Sequence, residues 1–359
     1  MRYWKLERIY ESILENANGR EIVVWGTGKA SQEAVQYLQE KGINISFLIV
    51  SKGGNEENVR VASELLEDNI GKMKYYIVIP LDYHKEILDQ LNNSVWESKI
   101  DYIYITHEPI EISLEGNYSD EYGNIIRCGS NIENIELIKI KLIGSGITIN
   151  LGNNIKVESE IHILCDNDAE INIGDEVFLF GKHQWLIWKN AKLNIENKCR
   201  LSENGILESA RNAIIKIGKD TRIGKNYKII AHINTNVFIG RECDISVDLI
   251  IRTNDGHSIF DIKTRKNINV SIEENKNINL YVGNHVWIGA RCMILGNVKI
   301  GEGSIIGAYS LVKGKIPNNC IVAGSVAKII RKDIAWSREN YAEDMDIISK
   351  EYINYTREE

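Results

Sequence analysis

Apolar residues repeat every 22 positions through the middle of the chain. Fifteen of them fall into three columns: Leu151, Ile173, Ile195, Ile217 and Ile239; Val157, Leu179, Leu201, Ile223 and Ile245; and Ile163, Trp185, Leu207, Ile229 and Ile251. A fourth column contains the residue types that enter the left-handed backbone region most cheaply: Gly146, Asp168, Asn190, Asn212, Asn234 and Gly256. This pattern predicts a stack of coils, each of which buries its apolar residues against its neighbours.

The period becomes shorter from Val282 onwards. An aliphatic residue recurs at every sixth position: Val282, Ile288, Ile294, Ile300, Ile306 and Val312. Three six-residue segments per coil predict a triangular prism with one short strand on each side. The longer upstream coils fit the same prism with four more positions at one corner. A right-handed β-helix is the alternative for these upstream coils. The regular six-residue period of the downstream coils argues against it.

One coil departs from the pattern with a histidine. His257 follows Gly256 in a column that holds small residues in the earlier coils: Ala169, Ala191, Ala213 and Thr235. Counting 22 from Ile239 predicts the next coil at 261, whereas periodicity resumes at Val282. The segment from Asp261 to Tyr281 is therefore an insertion. A histidine at a break in the repeat, beside a long insertion, favours a functional role over a structural one.

Residues 1–110 alternate between strand and helix patterns, which predicts a parallel α/β sheet. Strands are expected at the segment EIVVW and at 46–50, 75–80 and 102–106, with a helix over 82–93. Gly26 and Gly28 form a GxG turn between strand and helix, where N–H groups can hold a phosphate. The third glycine of the dinucleotide fingerprint is Ser31, and IVSKGG (49–54) lacks the expected acidic residue. A nucleotide or nucleotide-sugar ligand and a structural or docking domain both remain open.

Two further segments flank the repeats. Residues 111–124 are polar and lack clear periodicity, which indicates a linker. Residues beyond Arg331 show a helical pattern with Ser337 as its N-cap.

Composition narrows the classes of function. A net charge of −7 without a basic stripe argues against a nucleic-acid-binding protein. The six cysteines are scattered along the chain. Cys292 falls on an inward position, so a role in filling the core is favoured over a role as a nucleophile. The N-terminus has an amphipathic helical pattern, and no apolar run approaches the roughly 20 residues that span a bilayer. A cytoplasmic protein without a metal site and without membrane insertion is expected.

The hexapeptide run and its histidine-bearing insertion resemble the left-handed β-helix acyltransferases, in particular the polysaccharide and sugar O-acetyltransferases of capsule and surface-glycan gene sets. The resemblance covers roughly 124–340 and is carried by four segments: IIRTNDGHSIFD (250–261), VGNHVWIGARCMILGNVKIGEGSIIGAYSLV (282–312), IPNNCIVAGSVAKIIR (316–331) and IAWSREN. It implies a left-handed parallel β-helix over 125–330 with an inserted loop 258–281, a linker at 111–124 and a C-terminal helical extension over 331–359. Residues 1–110 are similar to Rossmann-like domains attached to some sugar acetyltransferases.

The same resemblance assigns a mechanism. His257 becomes the general base that takes the proton from an acceptor hydroxyl, and the acetyl group passes directly from acetyl-CoA in a ternary complex. Asp255 and Asn254 orient His257 or bind a sugar hydroxyl, unless both are ordinary turn residues.

Acetyl-CoA lies between neighbouring prisms of a homotrimer in such enzymes. The small residues along its pantetheine arm match Gly289, Ala290, Gly307 and Ala308. Trp287 matches an aromatic residue that flanks the site, with interface packing as the alternative. Basic residues gather near the C-terminus and either bind the phosphates of CoA or form a solvated face: Lys313, Lys315, Lys328, Arg331 and Lys332. Ser325 and Val326 replace an Asn-Pro pair usual in the family, so the local turn and its contacts with CoA are expected to differ there.

Three functions are compatible with these features. The favoured one is an acetyl-CoA-dependent O-acetyltransferase acting on a sugar hydroxyl of a surface or capsular polysaccharide or its precursor. An N-acetyltransferase acting on a nucleotide-linked amino sugar is the first alternative, and the incomplete glycine fingerprint argues against it. A non-catalytic scaffold or glycan-binding module is the second, and His257 argues against that.

Overall fold

The chain divides after Pro109 into two units, Met1–Pro109 and Ile110–Glu359. The boundary lies next to the one expected at residue 110. The computed structural model describes residues 13–53, 58–67, 69–80, 87, 90, 91, 93–97, 100–104, 109–120, 123–144, 146–254, 257, 259–266, 279–339 and 347–357.

The N-terminal unit contains a five-stranded parallel sheet, as the alternation of strands and helices predicts. Its strands are β1 (Glu21–Trp25), β2 (Ile45–Val50), β3 (Val59–Val61), β4 (Tyr75–Ile79) and β5 (Tyr102–Tyr104), in the order β3-β2-β1-β4-β5. The helices cover residues 13–17, Lys29–Glu40, Ala62–Leu66 and Asn69–Lys74. Of the helix predicted over 82–93, the described residues 87, 90 and 91 are helical. Residues 1–12, 105 and 106, which also carry predictions, lie outside the described residues.

Both faces of this sheet are buried, as is usual for parallel sheets. In β1, Val23 and Trp25 pack into one apolar cluster, and Ile22 and Val24 pack into another on the opposite face. The strand order is the one found in doubly wound dinucleotide-binding domains. It places the carboxyl end of β1 beside that of β4, and any ligand there stays a prediction.

The C-terminal unit is a parallel β-helix with three sides. The first side consists of Ile125–Cys128, Thr148–Leu151, Glu170–Ile173, Lys192–Ile195, Ile214–Ile217, Asn236–Ile239 and Asn279–Val282. The second side consists of Lys156–Val157, Phe178–Leu179, Arg200–Leu201, Arg222–Ile223, Asp244–Ile245, Trp287–Ile288, Ile305–Ile306 and Ile321–Ala323. The third side consists of Ile138–Leu142, Ile161–Cys165, His183–Ile187, Gly205–Ser209, Lys228–Ala231 and Ile250–Arg252. Two longer strands, Met293–Ile300 and Leu311–Ile316, run from the third side into the first.

The two predicted periods are confirmed by the register of these strands. On the first side Thr148 pairs with Glu170, which pairs with Lys192, so the period there is 22 residues. In the later coils Val282 pairs with Ile300, so the period is 18 residues. All fifteen residues of the three apolar columns are buried. The turn column is also confirmed, because its described members have φ between 54° and 71°: Gly146, Asp168, Asn190, Asn212 and Asn234. Gly256 lies outside the described residues.

The insertion interrupts this register between the third and first sides. Ile239 pairs with Val282 instead of with residue 261, which confirms that the chain between these coils is longer than one period. The predicted position of the insertion is wrong at its end, because the strand Asn279–Val282 contains the expected end at Tyr281. Strands of the first side begin before the inward aliphatic residue, as in Asn236–Ile239. The added chain therefore lies between Arg252 and Asn279.

Two short strands close the N-terminal end of the β-helix where a linker was expected at 111–124. Ile110–Ser113 pairs antiparallel with Ile138–Leu142, and Tyr118–Ser119 pairs antiparallel with Ile125–Cys128. The unpaired N–H and C=O groups at the edge of the first coil explain this pairing, because such an edge otherwise exposes a full row of them.

The described part of the C-terminal segment is less helical than predicted. Lys328–Arg331 is a strand that pairs antiparallel with Ile321–Ala323, and residues 332–336 are not helical. Among the described residues after Arg331, helix is confined to Ile347–Glu351. The Ser337 hydroxyl accepts a hydrogen bond from the Glu339 N–H at 3.1 Å. The helix that Ser337 was predicted to cap falls largely on residues 340–346, which lie outside the described residues, so the N-cap stays a prediction.

Contacts with the prism corner between the first and second sides explain the extended conformation. His285 stacks between Trp336 and Tyr352, with ring centroids 4.1 and 4.8 Å away. Arg338 forms ion pairs with Asp220 (3.2 Å) and Asp244 (3.3 Å), which belong to earlier coils. In a later coil, Asn319 Nδ2 donates to the carbonyls of Ile334 (3.0 Å) and Tyr352 (2.6 Å). We call the described residues 334–339 and 347–356 the C-terminal strap.

A histidine is buried inside the prism. His183 is 3% exposed, and its Nδ1 lies 3.1 Å from the hydroxyl of the buried Tyr227. Gly205 makes room for the tyrosine ring, because a Cβ there would lie 2.1 Å from Tyr227 Cζ. Burial lowers the pKa of His183 from 6.5 to about 4, because the charged imidazole loses its hydration.

We expect the lowered pKa of His183 to make the β-helix sensitive to acid. Between pH 6.5 and about 4 the unfolded chain binds a proton that the folded chain does not, so stability is present above pH 6.5 and falls as the pH is lowered. The loss at pH 4 is about 3 kcal/mol. Urea unfolding at pH 7 and pH 4.5 should show a smaller acid loss for His183→Gln than for the wild type. The exposed His162 provides the control, and equal acid losses for His183→Gln and His162→Gln would contradict this expectation.

Candidate functional site

The corner between the third and first sides is held together by two threonines below the insertion. The hydroxyls of Thr235 and Thr253 lie 2.6 Å apart, and both residues are buried. Thr253 Oγ1 accepts a hydrogen bond from the His232 N–H at 2.9 Å, and Thr235 Oγ1 donates to the His232 carbonyl at 2.8 Å. These bonds fix the backbone from which the insertion starts.

His257 lies in the first part of this insertion and is exposed. The residues of its sequence column in the earlier coils are all buried: Ala169, Ala191, Ala213 and Thr235. The exposed imidazole therefore does not replace a core side chain. Asn254 is half-buried, and Asp255 lies outside the described residues.

Two polar residues at the same corner escaped the sequence analysis. The guanidinium of Arg252 lies 3.3 Å from His232 Nε2, and both residues are half-buried. His232 precedes the turn residue Asn234, and Arg252 ends the strand before the insertion. A comparison of outward positions coil by coil identifies both, whereas the apolar columns do not.

The four predicted small residues lie together at another corner, between the second and third sides. Gly289 and Gly307 occupy successive coils, and the Gly289 N–H donates to the Ile306 carbonyl at 2.8 Å. A Cβ at Gly289 would lie 2.6 Å from the Ala308 nitrogen, so this position requires glycine. Ala290 and Ala308 follow the two glycines, and Ala308 is exposed. The small residues leave a corner along which a narrow chain can pass close to the backbone.

Larger side chains flank this small-residue corner. Trp287, 45% exposed on the second side, lies 6.1 Å from Trp336 between ring centroids. Arg291 lies 5.3 Å above the Tyr309 ring and pairs with Asp248 at 3.2 Å. Arg291 and Tyr309 were not predicted, because they occupy left-handed corner positions that the apolar period does not mark.

The five basic residues near the C-terminus do not lie on one strand. Lys313 and Lys315 belong to the strand Leu311–Ile316, which runs from the third side into the first. Lys328 and Arg331 belong to the closing strand on the second side, and Lys332 follows it. All five are exposed.

The segment that departs from the family pattern keeps its backbone attachment. Ser325 forms a parallel bridge with Leu311, and the Ala327 N–H donates to the Leu311 carbonyl at 2.8 Å. Ser325 and Val326 are exposed, so the departure changes the surface at this end of the small-residue corner.

His257 and the small residues lie on different corners of one prism. His257 follows the third side, whereas Gly289 and Gly307 precede it. The third side separates the two corners.

In the N-terminal unit the GxG turn lies at the carboxyl end of β1. Gly26 has φ of 105°, and Gly28 precedes the helix Lys29–Glu40. Ser31, at the position of the third fingerprint glycine, is buried and donates its hydroxyl to the Trp25 carbonyl at 3.0 Å. Ser31 thus joins helix to strand, which gives the departure from the fingerprint a structural reason.

Three further expectations concern the role of Cys292, the binding of a metal ion and insertion into a membrane. Cys292 is buried with its Sγ 3.2 Å from the Gly307 carbonyl, and burial raises the pKa of its thiol, which agrees with core filler. Within the described part of the chain, His, Cys, Asp and Glu form no group of three or more that could hold a metal ion. None of the described helices combines the length and apolarity needed to span a membrane.

The sequence matches a known protein family and several of its members. The bacterial transferase hexapeptide family (six repeats) matches residues 279–314. Galactoside O-acetyltransferase of Escherichia coli K12 is 30% identical over 194 residues, which cover 52% of this chain and 91% of that protein. Polysialic acid O-acetyltransferase of Escherichia coli O1:K1 / APEC is 31% identical over 139 residues, which cover 39% of this chain and 43% of that protein.

A solved structure supports the same relationship. The polySia-specific acetyltransferase NeuO is 27% identical, with a TM-score of 0.50 over 64% of this chain and 86% of that one. The chain spans about half the length of the first curated relatives that it matches, with 43% and 55% of them covered.

Proposed function

Because the chain belongs to the hexapeptide-repeat acyltransferases, which have a left-handed β-helix, we propose that it is an acetyl-CoA-dependent O-acetyltransferase. Its acceptor is a sugar hydroxyl of a surface polysaccharide or of the precursor of one. The observation that carries this proposal is the exposed His257 at the start of the insertion, in a column whose earlier members are buried.

The transfer takes place in one step between two bound substrates. The His257 imidazole removes the proton of the acceptor hydroxyl while its oxygen attacks the thioester carbonyl. A carbon–oxygen bond forms, the carbon–sulfur bond breaks, and the sulfur of CoA leaves and takes up a proton. Asn254 and Asp255 orient the imidazole or the sugar. Arg252 and His232 provide further polar groups at the same corner.

Acetyl-CoA lies along the small-residue corner. Gly289, Ala290, Gly307 and Ala308 allow the pantetheine arm to approach the backbone, and Trp287 flanks it. Lys313, Lys328 and Arg331 are exposed and provide positive charge for the phosphates of CoA.

A homotrimer brings the two corners together, with His257 of one chain facing the small-residue corner of the next. The outward positions of the third side support this arrangement, because many of them are apolar and only partly covered within one chain: Leu164, Leu186, Ile206, Ile250, Leu295 and Leu311. Although Gln184, Glu208 and Lys228 stand among them, partly covered apolar residues along one side of a prism are expected to be buried against another surface. A second copy of the same face is the partner that a closed symmetric assembly provides.

The relatives support a carbohydrate acceptor. Their names specify polysialic acid and galactosides as acceptors of O-acetylation. A nucleotide-linked amino sugar as acceptor for N-acetylation is the competing proposal. Against it stands Ser31, whose hydrogen bond to Trp25 gives the incomplete glycine fingerprint a structural role.

We expect thiol release from acetyl-CoA when surface polysaccharides are offered, and an ester-linked acetyl group on the product. The assay combines a thiol reagent with mass spectrometry of the products from a panel of polysaccharides and nucleotide-linked amino sugars. Mild alkali removes an O-acetyl group and leaves an N-acetyl group, which separates the two candidates. Alkali-stable acetylation of a nucleotide-linked amino sugar alone would reject the proposal.

A further inference from the structure

One row of outward side chains runs along the first side of the β-helix. Strand register places its members directly above one another in successive coils: Arg127, Asn150, Asn172, Asn194, Lys216, Phe238, Tyr281, Lys299 and Lys315. Eight steps at the usual spacing of strands give the row a length of about 38 Å. We call it the amide–aromatic row.

The three asparagines of the row are unusual for their position. Asparagine is depleted in strands, yet Asn150, Asn172 and Asn194 lie in strands of three successive coils. The corner asparagines have a conformational reason, because Asn190 and Asn212 adopt left-handed backbone angles. That reason does not apply to the row, so its amides call for another explanation.

The amides are aligned by one another and keep hydrogen-bonding capacity. Asn150 Nδ2 donates to Asn172 Oδ1 at 2.8 Å, and Asn172 Nδ2 donates to Asn194 Oδ1 at 2.9 Å. A carboxamide has two N–H donors and an oxygen with two lone pairs. Both donors of Asn172 are used, because its Nδ2 also donates to Glu170 Oε1 at 2.8 Å, and Asn150 Oδ1 accepts from Arg127 at 3.2 Å. Among the described residues, Asn194 Nδ2 donates no hydrogen bond. The ladder therefore presents fixed oxygen lone pairs and the N–H donors of Asn194, which suit the neighbouring hydroxyls of a sugar.

An aromatic platform continues the row. Phe238 and Tyr281 stack with their ring centroids 5.0 Å apart and an angle of 22° between the planes. Tyr281 is 42% exposed. Flat apolar rings beside aligned amides match a pyranose, which has an apolar C–H face and polar edges.

The charge along the row is positive, although the chain as a whole has a net charge of −7. Four of its nine members are Arg or Lys, and no member is acidic. The carboxylates beside its middle are paired, Glu170 with Lys192 at 2.5 Å and Glu196 with Lys216 at 2.7 Å. Lys216 and the three asparagines line an open depression of about 350 Å³. A ligand with negative groups is therefore favoured over a neutral one.

The row also leads to the proposed catalytic corner. Tyr281 lies on the strand that follows the insertion bearing His257, and Phe238 lies on the coil below. The proposed trimer buries the third side, which leaves the first side accessible. A long ligand on the row can thus extend from the N-terminal coils to the insertion.

We propose that the amide–aromatic row binds an extended acidic polysaccharide, with sugars over the amides and the aromatic pair and acidic groups at the basic residues. The proposal deepens the proposed function, on which it rests, by identifying the acceptor as a polymer held along the first side. Each coil advances by about 4.8 Å, so a ligand with its own short repeat matches the row over many steps.

The test measures binding in the absence of acetyl-CoA, with hyaluronan and alginate as acidic polymers and dextran as a neutral one. We expect both acidic polymers to bind, more weakly as salt is added, and a tetrasaccharide of either to bind at least tenfold more weakly than the polymer. The double variant Phe238→Ala, Tyr281→Ala should weaken polymer binding about tenfold. Polymer binding is measured without acetyl transfer, so a failure of this proposal is distinguishable from a failure of the proposed catalysis, which the activity assay tests.

Two controls make the test specific to the row. Phe178→Ala removes an outward aromatic residue of the second side, which stacks on Phe180 in a similar way, and should leave the affinity unchanged. Asn172→Thr should weaken binding severalfold, whereas a purely structural ladder would lower only the melting temperature. The proposal is overturned if neither acidic polymer binds, if dextran binds equally well, or if Phe178→Ala weakens binding as much as the row variants.

Discussion

His257→Ala should lower kcat/KM for acetyl transfer by roughly 10² to 10⁴-fold, the range that a general base contributes. Without the imidazole the acceptor hydroxyl must attack while keeping its proton. The exposed side chain is outside the core, so the melting temperature and the oligomeric state should stay those of the wild type. Thiol release from acetyl-CoA measures the activity, and thermal unfolding checks the fold.

Lys219→Ala is the control, because Lys219 is also exposed but lies at the corner between the first and second sides, away from the third side. It should retain wild-type activity. Residual activity of more than a few per cent in His257→Ala would remove this residue from the role of base. Arg252 and His232 would then be the next residues to test, since both lie at the same corner.

Leu186→Glu combined with Ile206→Glu should convert the proposed trimer into monomers and abolish activity. Both residues point outward from the third side in adjacent coils, so a charge at each is tolerated in one chain but not between facing apolar surfaces. Activity is lost because the base and the small-residue corner then remain on separate surfaces. Light scattering after size-exclusion chromatography measures the mass, and thiol release measures the activity.

Ile214→Glu is the control for this variant, since Ile214 is an equally covered outward residue of the first side. It should leave the assembly intact.

A second experiment mixes His257→Ala chains with Ala308→Trp chains, each inactive alone. Mixed assemblies should regain activity, because some sites then combine an intact His257 with an intact small-residue corner. Full activity of Leu186→Glu, Ile206→Glu monomers would show that one chain forms the whole site.

The coils follow from the sequence because inward positions are determined by the apolarity of each residue and by a constant period. Leu151, Val157 and Ile163 are buried as the period predicts. The closing strand Ile110–Ser113 was missed because its antiparallel partner lies far along the chain. Likewise, the extended course around Trp336 depends on the stacking partner His285, which no local pattern reveals.

The candidate site could be predicted only where it breaks the repeat. His257 stood out because a polar residue replaces small ones, whereas Arg252 looks like any outward residue of a strand. The amide–aromatic row stayed hidden for a different reason. The insertion lies between Phe238 and Tyr281 in the sequence, so the stacked pair does not follow the period of the other coils.

The C-terminal strap has a consequence for how the length of this protein can change. It contacts Asp220, Asp244, His285 and Asn319, and so spans a fixed number of coils. A whole coil inserted between Asp220 and Asn319 would move these anchor points apart by about 4.8 Å. A coil gained or lost before Ile217 would leave them where they are. Duplication or deletion of repeats is therefore tolerated towards the N-terminal end of the prism, and the part that carries the insertion is held at constant length.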